Sequence, residues 1–512
     1  MNYSKAKKSV LNILSGCFSQ LVTIALGIVI PRLVLVSLGS EANGLLNSVG
    51  QVLVYVGLLE AGVGLATTQA LYGPIAKNNY AAVSGIMSAT NRYYKKTGVI
   101  YFAIVVVVSI IYPTLVQTEL DRSVVFWVII LSAFPNVINY YFQGKYKLLL
   151  KADGKSYVIT NTTLVTYIFT SLTKIGLLLS GFGVVALQAM YLVFSIAQML
   201  FYSSYIRINY ACLDVNTEPD FDSISSKNYV LFHQISGLIF SNTDIILITL
   251  FCGLKTVSVY SMYVMLFGMI GTAIQTVNSG VMFSLGQTYN ANKSAFAPQH
   301  DAFELYNMTL TFSLFCIANI FILPFMRLYT AGVTDIQYID PLLPYLFIAT
   351  YLLENGRTSS MQVINYAGHF KQTKNHALIE MIINLSVSLV GVSLWGIYGV
   401  LVGTIAALLF RANAMILYAA RQLMNRSSWI TYRRWLLNLT LFIVVTFICK
   451  KIPFPVDTYV QIFLSAFLCC LVIIPLFFFL ASIFDIKTYQ FARNLLGKYI
   501  KQIRRKIYQG KT

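Results

Sequence analysis

Charged side chains are scarce in this sequence. Of its 512 residues, 11% are charged and 57% are hydrophobic, and the mean hydropathy is +0.69. Soluble domains carry about 25% charged residues. The scarcity of charge excludes a soluble globular protein and predicts an all-α polytopic membrane protein.

Motifs for metal binding and catalysis are also missing. The seven cysteines lack metal-ligand spacing and most fall in apolar runs, and the four histidines are scattered. The sequence has no phosphate-binding loop, HExxH motif or nucleophile elbow. No loop is long enough for a soluble domain. We therefore expect a protein that is not an enzyme, with no metal, disulfide or bound cofactor.

Apolar runs of about 20 residues predict fourteen membrane helices. The predicted spans are 10–36, 43–70, 98–117, 123–143, 157–180, 183–206, 229–251, 257–286, 305–329, 341–366, 374–394, 397–420, 432–449 and 458–483.

The net charge of +19 follows the predicted orientation. With the N-terminus inside, 28 of the 37 Lys and Arg residues fall in cytoplasmic segments. Orientation bias explains the charge better than nucleic-acid binding does. We expect both termini to be cytoplasmic.

A loop near residues 207–228 and a faint glycine repeat predict two six-helix lobes related by pseudo-symmetry. Gly39 follows the first predicted helix as Gly253 follows the seventh, and Gly62 and Gly280 lie at a similar offset. The predicted parts are an N-lobe (1–208), an inter-lobe loop (209–228), a C-lobe (229–425), two further helices (426–484) and a basic amphipathic tail (485–512). The tail is typical of a helix on an anionic membrane surface, with a solvated orientation signal as the alternative.

Charged residues inside predicted spans are functional candidates, because burying a charge in a bilayer is costly. They are Arg32, Lys174, Arg357 and Arg411, with Glu60, Asp244, Glu354 and Glu380. Structural roles stay open for several of them, including snorkelling for two of the cations.

Three local patterns qualify these candidates. Glu354 and Arg357 lie three residues apart and can neutralise each other on one helix face. For Asp244 we rank pairing with an arginine of the other lobe first, cation binding second and local capping third. Asn47 and Gln51 share a helix face that lines a cavity or forms interhelical hydrogen bonds.

Tyrosines cluster near two predicted helix ends, at Tyr93, Tyr94, Tyr140, Tyr141 and Tyr146. Aromatic residues at such positions are typical of a membrane-interface belt. Stacking on sugars at the cytoplasmic opening is the alternative.

Two stretches resemble a known family. The run LGSEANGLLNSVGQVLVYVGLLEAGVGLATTQALYGPIAKNN and the later run NTDIILITLFCGLKTVSVYSMY resemble Wzx-type oligosaccharide flippases of surface-polysaccharide pathways. These flippases belong to the multidrug, oligosaccharidyl-lipid and polysaccharide (MOP) exporter superfamily. The resemblance covers about residues 10–425. The last two predicted spans distinguish this sequence from twelve-helix members.

The resemblance implies two lobes that form a V and work by alternating access. The implied substrate is an undecaprenyl-pyrophosphate oligosaccharide, moved across the bacterial cytoplasmic membrane for O-antigen, capsule or exopolysaccharide assembly. The implied partners are membrane lipids, a polysaccharide polymerase and glycosyltransferases.

The resemblance also implies roles for the charged residues. Arg32, Lys174, Arg357 and Arg411, with Asn47 and Gln51, would line a cationic cavity. Glu60, Asp244, Glu354 and Glu380 would be the candidates for coupling H⁺ or Na⁺.

Two other functions remain as alternatives. A cation-coupled exporter of small drugs would use the same scaffold, although cationic drugs favour acidic cavities. A membrane glycosyltransferase or polysaccharide polymerase would need a long outer loop with catalytic residues, which the predicted topology lacks.

Overall fold

The computed structural model describes residues 5–60, 62–224 and 228–509, and all regular structure within these ranges is helical. Parts of two predicted segments, residues 225–227 of the inter-lobe loop and 510–512 of the tail, lie outside the described residues. The chain divides into two compact units. Unit 1 comprises Met1–Ser261 with Gly332–Ile336, and unit 2 comprises Met262–Ala331 with Gln337–Thr512. The predicted lobe boundaries stay a prediction.

Unit 1 is built from seven helices and the first part of an eighth. They are α1 (Lys5–Val56), a 3₁₀ turn (Gly57–Glu60), α2 (Val63–Ala76), α3 (Tyr80–Leu115), α4 (Arg122–Ile138), a π-helical turn (Asn139–Gln143), α5 (Gly144–Ala152), α6 (Ser156–Leu179), α7 (Val184–Asn209), a 3₁₀ turn (Asp222–Ile224) and α8 (Asn228–Ala291) as far as Ser261.

Unit 2 continues from α8. Its further helices are α9 (Lys293–Tyr329), α10 (Leu343–Gly356), α11 (Thr358–Ala367), α12 (Phe370–Trp395), α13 (Ile397–Tyr418) with a π-helical turn (Ala419–Leu423), α14 (Trp429–Cys449), α15 (Tyr459–Phe484) and α16 (Ile486–Gln509).

Single glycines divide the two longest helices. Gly39 in α1 has φ 82° and ψ 176°, and Gly253 in α8 has φ 80° and ψ 173°. This backbone region is essentially restricted to glycine. The two glycines of the predicted repeat therefore have the same special conformation, and each replaces a loop between two spans.

The fourteen predicted spans all map onto described helices. α8 contains two spans, α1 contains one span and the first part of the next, and α10 with α11 forms one. Eleven described helices are long and apolar enough to cross a membrane. The predicted fold class, an all-α polytopic membrane protein with about fourteen spanning helices, is confirmed.

Several predicted boundaries are wrong. α3 begins at Tyr80 and α9 at Lys293, well before the predicted starts at 98 and 305. The span 43–70 breaks at the 3₁₀ turn Gly57–Glu60, and Gly62 has φ 87° before α2 begins. The span 123–143 continues through the π-helical turn and α5 to Ala152. The lysines in 144–156 indicated a loop, but burial among neighbouring helices keeps this segment helical.

Close packing holds the helices of unit 1 together. A Cβ atom on Gly44 would overlap the backbone carbonyl of Leu254, so only glycine allows this approach of α1 and α8. Next to this contact, Asn43 Nδ2 donates to Ser258 Oγ at 2.7 Å. Small residues at helix crossings and buried hydrogen bonds are the usual stabilising features where lipid replaces water.

Candidate functional site

A polar cavity of about 420 Å³ lies inside unit 1. Helices α1, α4, α5, α6 and α7 and the π-helical turn surround it. Its lining residues are Ile30, Pro135, Asn136, Asn139, Gln143, Lys147, Thr163, Thr166, Tyr167, Thr170, Ser171, Lys174, Gln188, Tyr191, Ser195 and Gln198. Most of these side chains carry a hydrogen-bonding group, which is unusual for the interior of a membrane helix bundle.

Two lysines provide the only charges of the described lining. The Lys174 ammonium lies 5.5 Å from the centre of the Tyr191 ring. The Lys147 ammonium donates to Asn139 Oδ1 at 2.9 Å. No carboxylate lines the cavity, and among the described residues Lys174 has no ion-pair partner. Lys147 interacts electrostatically with Glu60, which lies outside the lining. A buried cation without a counterion is unfavourable, so the cavity is suited to an anion.

Two lining atoms have unused hydrogen-bonding capacity. Gln143 Oε1 and Thr170 Oγ1 are buried and have no hydrogen-bond partner among the described residues. Two other lining residues, Ser171 of α6 and Gln188 of α7, are also buried. Buried polar groups normally have a partner, protein or solvent. Gln143 Oε1 can therefore accept a hydrogen bond from a hydroxyl-rich ligand, and the Thr170 hydroxyl can donate or accept one.

Local irregularity in α4 positions one wall of the cavity. Pro135 interrupts the backbone hydrogen bonds of α4, and the chain then forms the π-helical turn Asn139–Gln143 before α5. A π-helical turn adds about one residue to a helical turn and shifts the faces that follow. Asn139, Gln143 and Lys147 consequently line the cavity together.

Glu60 lies behind this wall, at the break between α1 and α2. Tyr94 donates a short hydrogen bond to Glu60 Oε1, and Lys147 interacts with Glu60 electrostatically. The Tyr140 ring packs edge-on against Tyr94, with ring centroids 6.1 Å apart. Tyr94 and Tyr140 are buried, so the interface-belt interpretation is wrong for these two residues.

The charged candidates of unit 2 form a separate cluster. Arg357 Nη1 lies 2.5 Å from Glu380 Oε1, and Arg411 Nε lies 3.5 Å from Glu380 Oε2. Arg411 also donates to the Thr373 carbonyl at 3.3 Å. Glu354 also interacts electrostatically with Arg357, which agrees with their predicted pairing, while the closer ion pair of Arg357 is with Glu380.

The remaining candidates have local contacts. Asn47 Nδ2 donates to the Asn43 carbonyl at 2.8 Å, and Tyr260 donates to Asp244 Oδ2 at 2.8 Å. Asp244 also interacts electrostatically with Tyr55 of α1, and its role stays a prediction. Arg32 and Gln51 are half-buried in α1. Of the six residues expected to line a substrate cavity, Lys174 alone lines the cavity of unit 1, and roles for the other five remain predictions.

Sequence reasoning missed Lys147 and most of the uncharged lining. Lys147 was assigned to a cytoplasmic loop, although it follows Asn139 and Gln143 at intervals of four residues. Three polar residues at this spacing predict one polar helix face. That pattern was the available signal.

Unit 2 also contains a buried charge cluster that the sequence did not reveal. Arg434 Nη1 lies 2.7 Å from Glu304 Oε2, and Arg434 Nη2 lies 2.7 Å from Asp485 Oδ2. Arg426 contacts both Glu304 and Asp301. The cluster joins α9, α14 and the residue between α15 and α16.

His300 lies beside Asp301 and Glu304, and these three residues could together hold a metal ion. The two carboxylates already contact the Arg426 and Arg434 guanidiniums. These contacts favour an ion-pair cluster over a metal site.

Comparisons with known proteins find relatives by structure only. No family model and no curated protein matches the sequence. The lipid II flippase MurJ in an inward closed conformation has a TM-score of 0.69 and 12% identity, and the match covers 93% of this chain and 99% of that one.

Two transporters of the MOP superfamily are also similar. An inward-facing multidrug resistance MATE transporter has a TM-score of 0.60 and 16% identity, over 78% of this chain and 94% of that one. A transporter from Pyrococcus furiosus, described by a reverse polarity of its binding pocket that suggests a different function, has a TM-score of 0.54 and 14% identity, over 81% and 95%. At these identities the likeness establishes the fold. The chain is therefore a multi-pass membrane protein with the fold of MurJ and of MOP-superfamily transporters.

Proposed function

We propose that this protein is a flippase for lipid-linked oligosaccharides with an anionic head group, of the undecaprenyl-pyrophosphate class. The observation that carries the proposal is the cavity of unit 1, where Lys147 and Lys174 face a polar lining without a carboxylate. An anion supplies the missing counter-charge, and charge-assisted hydrogen bonds are roughly twice as strong as neutral ones.

The uncharged lining supports a substrate in which sugars are attached to the anionic group. Threonine, serine, asparagine and glutamine side chains surround the two lysines, and Tyr167 and Tyr191 add aromatic surface. Sugars need many hydrogen-bond partners and an apolar ring face. A volume of about 420 Å³ lies at the lower end of ordinary ligand pockets, so it accommodates part of an oligosaccharide.

The fold supports movement of such a substrate across the membrane. The structurally similar MurJ is described as a lipid II flippase. We further propose that the protein lies in the bacterial cytoplasmic membrane with both termini cytoplasmic, as the distribution of lysine and arginine predicts. A polymerase and glycosyltransferases of surface-polysaccharide assembly are the proposed partners, and H⁺ or Na⁺ coupling at an intramembrane carboxylate completes the proposal.

Reconstitution tests this function. The purified protein is placed in vesicles with fluorescent undecaprenyl-pyrophosphate oligosaccharide, and an impermeant reagent reports the label on the outer surface. We expect the protein to make inner-leaflet label accessible. If the label stays protected with well-folded protein, the function is wrong.

A matched pair of variants ties transport to the cavity. Lys174→Gln removes a lining cation, while Lys151→Gln removes an exposed cation at the end of α5. We expect only the first to slow transport. Equal slowing by both would show that the cavity is not the substrate site.

The drug-exporter alternative predicts another result. Expression would then raise resistance to cationic drugs, and removing a lining cation would favour drug binding rather than weaken transport. The two lysines of the cavity disfavour this alternative, because like charges repel.

A further inference from the structure

Helix α16 begins directly after the last apolar span and is fixed at its start. Arg434 Nη2 donates to Asp485 Oδ2 at 2.7 Å and to Thr488 Oγ1 at 3.2 Å. The Arg434 side chain is 1% exposed and also contacts Glu304 of α9. The first turn of α16 is therefore held against the end of the helix bundle rather than left as a free tail.

The described side chains of α16 separate into faces. Thr488 and Ala492 are buried. Ile486, Tyr489 and Leu496 are 53%, 38% and 62% exposed. Positions spaced by three and seven residues lie on one side of a helix, so these three form an exposed apolar stripe.

Cations lie on the same exposed side of α16 as this apolar stripe. Lys487 and Arg493 are exposed, and the Arg493 guanidinium lies 5.9 Å from the centre of the Tyr489 ring. The sequence from Asp485 to the end contains eight Lys and Arg residues and Asp485 as its only acidic residue. An exposed helix side that combines apolar residues with cations is typical of a helix at a membrane surface.

The position of α16 indicates that its exposed side binds membrane lipids. α15 ends at Phe484 and α16 begins at Ile486, so the helix starts where the bilayer ends. The charge pattern assigns this end to the cytoplasmic side, where anionic lipids create a negative surface potential. Acidic headgroups match the cations, and the acyl-chain boundary matches the apolar stripe.

We propose that α16 is a binding surface for anionic phospholipid headgroups of the cytoplasmic leaflet, held in place through Arg434. Ile486, Tyr489 and Leu496 contact the acyl-chain boundary. Lys487 and Arg493 contact the headgroups. This proposal rests on the predicted orientation and is independent of the transported substrate.

Hydrogen exchange of the full-length protein tests the proposal. The protein is placed in nanodiscs of phosphatidylcholine alone or of phosphatidylcholine with phosphatidylglycerol, and amide exchange is followed in peptides from α16. We expect slower exchange with phosphatidylglycerol, and a smaller difference at high salt, where exposed charges are screened.

Variants assign the effect to the described cations. Lys487→Gln with Arg493→Gln should reduce the lipid-dependent protection about 5-fold for each cation removed. Lys487→Arg with Arg493→Lys keeps the charge and should keep the protection. The matched control, Arg122→Gln with Lys451→Gln, removes two exposed cations of predicted outer loops and should change nothing in α16.

Two results would overturn the proposal. One is equal exchange of α16 in the two lipid compositions. The other is unchanged protection in the Lys487→Gln, Arg493→Gln variant when the protein elutes as a single folded species. Neither result depends on transport, so the proposed function would be unaffected by them.

Discussion

The cavity of unit 1 and the charge cluster of unit 2 both bury cations, but they do so in opposite ways. In the cluster, Arg426 and Arg434 contact three carboxylates, those of Asp301, Glu304 and Asp485. In the cavity, Lys174 has no ion-pair partner among the described residues, and Glu60, which interacts electrostatically with Lys147, lies outside the lining. Charges satisfied within the chain stabilise its structure, whereas charges left without a counterion are available for a ligand.

The Arg357–Glu380–Arg411 cluster lies between these extremes. Two guanidiniums share the Glu380 carboxylate, and Glu354 also interacts electrostatically with Arg357. The cluster therefore balances two cations with two carboxylates, although Glu380 alone forms the described ion pairs. For the cavity and for both arginine clusters, the effect of a substitution on stability can be measured beside its effect on transport.

The largest expected effect is on the stability of the paired cluster. Arg434→Met leaves Glu304, which is 0% exposed, with fewer counterions. Breaking a buried ion pair by removing one partner costs about 3–5 kcal/mol. Thermal unfolding in detergent should show a large loss of stability, and an unchanged melting temperature would contradict the structural role of the cluster.

Glu380→Gln should have the next largest effect. The substitution leaves Arg357 and Arg411 close together without their shared carboxylate. We expect a destabilisation of about 2–3 kcal/mol, because like charges repel and two buried cations lose their partner. A combined Glu380→Gln, Arg411→Met variant should recover part of that stability, and failure to recover would indicate that the residues do not act as a pair.

Lys174→Gln should show the reverse pattern, a functional loss without a stability loss. Losing one charge-assisted hydrogen bond to substrate costs about 1.5–3 kcal/mol, which is roughly a 10- to 100-fold slower transport. Stability should be unchanged or higher, because a buried cation without a counterion is removed. Vesicle transport and thermal unfolding measured on the same preparation separate the two effects. A parallel loss of both would assign Lys174 a structural role.

The smallest effect concerns pH and the ion pairs of Asp153 at the end of α5. Burial alone would raise the Asp153 pKa. Hydrogen bonds from Lys155, Tyr210 and Lys8 together lower the pKa by more than burial raises it, so the Asp153 pKa lies below its ordinary value. The stabilisation is therefore present above the unfolded pKa of about 3.9 and is lost as pH falls through the lower folded value.

Asp153→Asn tests this dependence. The variant should be slightly less stable at neutral pH and should lose less stability than the wild type on acidification below about pH 4. Acid unfolding followed by circular dichroism measures both curves. Parallel curves would show that the Asp153 ion pairs do not contribute to acid sensitivity.

The sequence predicts the spans well because hydrophobicity and the cost of exposed backbone in lipid leave few alternatives. It also identifies Gly39 and Gly253, whose repeated position is visible without a structure. Lys174 could be selected as a candidate because a lysine within an apolar run is rare. These features depend on local composition.

The partners of the charged residues could not be predicted in the same way. Glu380 lies 23 positions from Arg357, and Asp485 lies 51 positions from Arg434. Such contacts depend on how each helix is rotated about its axis and on which helices pack against each other. Lys147 was missed for another reason: the four lysines of 144–156 favoured a cytoplasmic loop over the polar helix face that its spacing from Asn139 and Gln143 indicates.

Gly39 and Gly253 also have a mechanical consequence. Each joins two long helical segments through a single residue, without a loop to absorb a change of direction. Any reorientation of one segment relative to the next must occur by rotation about a few backbone bonds. An inserted residue would turn everything beyond it by about 100° and move each side chain to another face. These two positions should therefore tolerate neither insertion nor a side chain, even though neither glycine lines the cavity.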